Sequence, residues 1–190
     1  MSRGIRISEP GESREDAGFE DPFAMLAACH ERVDASLTRL ARICEHVARH
    51  GADALARDAA ADVMRYFDIA APLHHEDEER HLFPRLAGDA RWADEVRRLH
   101  AEHEALSDSW LRLRPQLASL HERGEVDADQ LAQAASQFER DYRRHLEFED
   151  RELFAAARRM FDEAADSSEA IEQMGREMAA RRGAPFKGRA

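Results

Sequence analysis

The chain has 190 residues, 43% hydrophobic and 35% charged, with a formal net charge of −11. That length predicts one domain with a core of its own, and the acidity argues against nucleic acid or an anionic membrane surface as a partner. Cys29 and Cys44 form neither a disulfide framework nor a thiolate metal motif. No apolar run approaches the ~18 residues of a membrane span, and the N-terminus lacks the apolar stretch of a secretory signal. A cytoplasmic protein is expected.

Residues 1–20 are polar, carry Gly4, Pro10, Gly11 and Gly18, and show no periodicity. They read as a disordered arm. A first helix is expected from Asp21 as N-cap, with Pro22 at the first helical position. Its apolar stripe is Phe23, Leu26, His30, Val33, Leu37, Leu40, Cys44 and Val47. A second helix is expected from about Asp53 to Arg85, with Val63, Phe67, Ala70, His74, Glu78 and Leu82 on one face. Pro72 should kink it one turn before His74. The third runs from about Asp89 to His121 on the stripe Trp92, Val96, Leu99, His103, Leu106, Trp110, Leu113, Leu117 and Leu120. The fourth starts at Asp127 with Gln130 as a capping box, and turns Leu131, Ala135, Phe138, Tyr142, His145, Glu149, Leu153 and Met160 inward. A shorter helix covers about Ser168 to Arg181. The fold expected is all-α: an up-down-up-down four-helix bundle over 21–163, then a C-terminal helix and tail over 164–190.

Each long helix carries one histidine on its apolar stripe: His30, His74, His103 and His145. Two stripes add Glu78 and Glu149. His74-x-x-x-Glu78 with Phe83 repeats as His145-x-x-x-Glu149 with Phe154, every pair 71 positions apart. A spacing of four puts imidazole and carboxylate on one helix face. Ionised carboxylates are rarely buried unless paired or metal-bound, so two such half-sites point to a binuclear centre. Imidazole and carboxylate without thiolate suit iron or manganese better than copper(I) or structural zinc. Tyr142, one turn before His145, is placed to line a pocket there. His46, His50, His81 and His121 read as surface or supporting groups, and Cys29 as a small thiol flanking the core. No nucleophile, triad or phosphate loop supports another enzyme class.

The segments HHEDEERHLFPRL, LHAEHEAL, HLEFEDRELF and CHERVDASLTRL resemble the hemerythrin-like (HHE cation-binding) family over about residues 22–160. The resemblance implies a four-helix bundle around two iron ions. His30, His74, Glu78, His103, His145 and Glu149 would be ligands, with the two glutamates bridging. The oxygen-carrying members have two histidines four apart on the third helix. Here His100 and His103 are three apart, so His75, or its rival His100, is expected to complete the second metal. The function implied is binding of dioxygen or another small diatomic ligand, for sensing, storage or delivery, rather than an enzyme activity. The alternatives are an iron-handling or stress protein of the iron-sulfur repair type and a di-iron oxidase or peroxidase. Residues 1–20 lack the cysteine that repair-type members carry. A protein partner is left open.

Overall fold

The computed structural model describes residues 18–186, so the arm expected over 1–20 lies almost wholly outside the described residues. The elements are α1 (Pro22–His50), α2 (Ala54–Arg65), α3 (Ala71–His81), α4 (Phe83–Ala87), α5 (Ala93–Arg123), α6 (Ala128–Phe148), α7 (Phe154–Glu163) and α8 (Ser167–Arg181). Two π-helical turns, Tyr66–Ala70 and Glu149–Leu153, join α2 to α3 and α6 to α7. These make four rods: α1, α2–α3, α5 and α6–α7. Each rod packs on its two neighbours in a square, α1 against α2 and α6, α5 against the same two. No strand occurs among the described residues.

Caps set the ends. The Asp21 carboxylate accepts from Ala24 N–H at 3.1 Å, Asp53 from Ala56 at 3.0 Å, and Asp127 from Asp129 and Gln130. Gln130 does not close the expected capping box, because its amide donates to the Asp127 carboxylate at 2.8 Å instead of turning to the backbone. α5 stops at Gly124, whose φ of +68° suits a residue without Cβ. The third helix starts later than expected, at Ala93, because Asp89 and Trp92 are spent in a turn ahead of it.

The second rod is not a single α-helix ending at Arg85. Pro72 has no N–H to return to Asp68 four residues back. The chain widens instead, and Ala71 N–H reaches five residues back to the Tyr66 carbonyl. The extra residue moves the inward face on by one, so Ala71 is buried where Ala70 was expected. Both His74 and His75 then point inward. Leu82 interrupts the helix before α4. The turn at Glu149–Leu153 acts alike: Phe154 N–H bonds the Glu149 carbonyl, and Phe161 is buried in place of the expected Met160. Such π-turns recur at functional sites.

Two apolar clusters form the core. One gathers Val33, Leu37, Leu40, Phe67, Leu113, Phe138 and neighbours. The other holds Phe23, Leu26, Phe83, Leu99, Leu153 and Phe161, with Met174 and Met178 from α8. Trp92, expected in the core, only lies against this second cluster, half-buried beside the start of α5. Between the clusters runs one polar layer. Apolar packing closes that layer above and below.

Candidate metal centre

The layer draws on all four rods: His30 from α1; His74, His75 and Glu78 from α3; His103 from α5; His145 from α6; and Glu149 from the second π-turn. All are buried, with His74, Glu78 and Glu149 at 0% exposure. They form two groups, His30–His74–Glu78–Glu149 and His75–His103–His145, whose ligand atoms lie within 4.8 Å of one another. Glu78 joins the groups: Oε1 is 3.5 Å from His74 Nε2 and 3.7 Å from His30 Nε2, while Oε2 is 3.7 Å from His103 Nε2. Glu149 mirrors it, with Oε2 3.4 Å from His30 and 3.2 Å from His145, and Oε1 3.7 Å from His103.

The Nε2 atoms of His30, His74, His103 and His145 and all four carboxylate oxygens of Glu78 and Glu149 are buried without a hydrogen-bond partner. Polar atoms left so cost several kcal/mol by rough count unless something else satisfies them. Eight lone-pair donors aimed into one buried layer fit a pair of cations. No thiol joins: Cys29 and Cys44 are free, buried and outside both groups.

Without a cation the layer holds protons in its place. Burial works against a charge on His30, but the Asp150 hydrogen bond and the nearby Glu149 and Glu78 carboxylates outweigh it and lift the imidazole to about 12. His103 is raised to about 9, burial again overcome by Glu149 and Glu79. Burial and the neighbouring Glu149 charge push Glu78 up to about 7. Burial opposes the Glu149 charge, yet His145, His103 and His30 together hold it well below the usual range. His74 and His75 are driven well below 6.5 by burial first, then by the adjacent imidazoliums, so both stay neutral donors.

The outer faces of the rings are braced, which fixes which nitrogen faces inward. His30 Nδ1 bonds Asp150 Oδ1 at 2.7 Å, His103 Nδ1 bonds Glu79 Oε1 at 2.7 Å, and His145 Nδ1 bonds Glu102 Oε2 at 3.0 Å. Phe154 stacks on His30 and Phe83 on His103, at 4.8 and 5.4 Å between centroids. Sequence reasoning named the phenylalanines but gave none of the three carboxylates this supporting place. Glu79 and Asp150 follow Glu78 and Glu149 in the same 71-residue register, so the repeat carried the signal. Glu102 has no repeat partner, since Cys29 stands at the matching place before His30.

His75 and His100 part company. His75 lies in the layer, stacked on His103 with centroids 3.9 Å apart and planes 4° apart, its Nε2 2.9 Å from the Tyr142 hydroxyl. His100 is about half exposed, edge-on to Phe83, and belongs to neither group. Tyr142 thus lines the layer as expected. His46 pairs with Asp53 and His121 with the Arg57 carbonyl, both far from the layer in contacts. His81 Nε2 meets Arg181 of α8 at 2.6 Å and touches none of the seven.

A second polar knot underlies the layer. Asp77, next to Glu78 and 0% exposed, accepts from Arg181 Nε at 2.8 Å and Nη2 at 2.5 Å. Arg182 Nη2 lies 2.6 Å from its other oxygen. The C-terminal helix therefore ties to the residue beside a central carboxylate, a contact no motif announced.

A four-helix bundle with a buried layer of imidazoles and carboxylates is a cation-binding protein. The chain belongs to the family described as Hemerythrin HHE cation binding domain, which it matches over residues 21–157. It is also similar to a Haemophilus influenzae protein described only as an uncharacterized protein, 31% identical over 179 residues that cover 94% of this chain and 98% of that one. No helix among the described residues is long and apolar enough to cross a membrane.

Proposed function

We propose that the layer holds two iron ions and that the protein binds dioxygen there, for sensing, storage or delivery in the cytoplasm. The supporting observation is the set of eight unpartnered donor atoms, with each glutamate spread between the two histidine groups. In this reading His30 and His74 would hold one ion and His75, His103 and His145 the other, with Glu78 and Glu149 within reach of both. Nitrogen and oxygen donors without thiolate suit iron or manganese better than copper(I), and iron is the metal proposed here. Iron bound there would supply the redox chemistry that dioxygen binding needs. The chain's own residues do the rest: Glu79, Asp150 and Glu102 orient the rings, and the two apolar clusters exclude water.

Tyr142 favours a second reading, a di-iron oxidase or peroxidase. Its hydroxyl is an oxidisable group one hydrogen bond from His75. The deciding experiment measures metal per chain in protein made with ample iron and purified without chelators, then follows the absorption spectrum as oxygen is added and removed. About two irons with a reversible spectrum supports the first reading. Irreversible change with consumption of peroxide or a reductant selects the second. Protein without iron rejects both.

A further inference from the structure

A cavity of about 320 Å³ opens between the first π-turn and α5 and ends on His75 and Tyr142. Its walls are Phe67, Leu106, Trp110 and Phe138. Phe67 packs on Trp110 and Phe138 at about 5 Å between centroids, so the wall is preformed. The charged groups at the mouth are already spent on one another. Arg114 Nε donates to both Asp68 oxygens at 2.9 and 3.0 Å, and Trp110 Nε1–H donates to Asp68 at 3.0 Å. No unpaired charge is left among these groups to attract an ion. At the inner end the single polar feature is the Tyr142–His75 hydrogen bond.

The opening follows from the backbone. Pro72 and the π-turn displace the second rod just where the cavity meets it, and Asp68, Ala71 and Pro72 all line it. Enclosed apolar cavities of ~150 Å³ take up benzene or xenon, and small-molecule sites begin near ~300 Å³; this space is of the second size and open to solvent at its mouth. The space therefore exceeds what a diatomic gas needs.

We propose that this cavity binds a small, neutral, largely apolar molecule and leads it to the Tyr142–His75 pair, on the three-histidine side of the layer. That the pair borders a metal centre rests on the function proposed above; that the cavity takes up an apolar molecule does not. Two sources share this chemistry, a dissolved gas and a small aromatic compound.

The test uses xenon and benzene as probes on the metal-loaded full chain, with occupancy read by diffraction from pressurised or soaked crystals. Density between Leu106, Trp110 and Phe138 is the expected result. Xenon alone marks a gas site, and benzene as well marks room for an aromatic compound. Ser107→Trp, at an exposed position lining the cavity, should weaken occupancy about tenfold or more. Leu111→Trp, also exposed on that helix, is the second blocking variant. An empty cavity under both probes overturns the proposal, and so does occupancy that neither variant reduces. If xenon binds while the iron ignores dioxygen, the cavity stands and the dioxygen reading fails.

Discussion

The two hairpins, α1 with α2–α3 and α5 with α6–α7, carry the same pattern but not the same support. Their shared braces cross between them. Asp150 and Phe154 of the second hairpin hold His30 of the first, and Glu79 and Phe83 of the first hold His103 of the second. The braces within each hairpin differ. Glu102 fixes His145, whereas the matching residue before His30 is Cys29 and His74 Nδ1 has no partner. The Tyr142–His75 bond joins the two hairpins on the three-histidine side of the layer alone. Cross-braces lock the hairpins together and serve both halves equally. The unshared ones make the two halves chemically unequal, so two cations held there meet different surroundings.

The largest effect should come from removing what both halves share. Glu149→Ala takes an anion from both groups, and metal content should fall from about two per chain to below one by elemental analysis. Unchanged loading would break the bridging assignment. Next is a support of the first hairpin only. Arg181→Ala combined with Arg182→Ala strands the buried Asp77 charge and should cost about 3 kcal/mol in denaturant unfolding. Then comes the inequality itself: Glu102→Ala should weaken metal binding roughly 10- to 100-fold in anaerobic titrations, while Cys29→Ala leaves it unchanged. Equal effects would erase the distinction drawn between the hairpins.

Protons give a gentler probe of both halves. His30, at about 12, and His103, at about 9, are charged at pH 7.5 without metal, so loading should release protons into unbuffered solution. Because both values are raised above 6.5, their contribution to the metal-free fold is complete below that pH. The His103 share is lost as the pH climbs through 9, while the His30 share persists towards 12, so the protein should melt higher at pH 6.5 than at pH 9. A metal-free protein that melts higher at pH 9 would contradict the assignment. The smallest effect is expected for Tyr142→Phe, about 1 kcal/mol from one lost hydrogen bond, with no change in metal content.

Periodicity made the bundle legible, because each stripe repeats at helical spacing and every leucine and valine on it from Leu26 to Leu120 is buried as expected. The layer was legible for the same reason: histidine and glutamate stand where aliphatic residues should. What escaped were features without period. A π-turn adds one residue and leaves no mark beyond Pro72 in one rod and nothing in the other. The choice between His75 and His100 depended on that extra residue, which turns both His74 and His75 inward. Asp77 looked like one more charge in an acidic run, because its arginines lie 104 and 105 positions away in a helix that spacing alone could not dock.

That long-range tie bears on where the protein's working unit ends. The family match closes at residue 157, before α8 begins. A fragment cut at that border would keep every imidazole and carboxylate of the layer. It would also keep a buried aspartate without its counter-ions and an apolar cluster stripped of Met174 and Met178. During synthesis Asp77 likewise waits for more than a hundred further residues before its charge is answered. The border of the family match and the border of the self-sufficient fold are therefore different places in this chain.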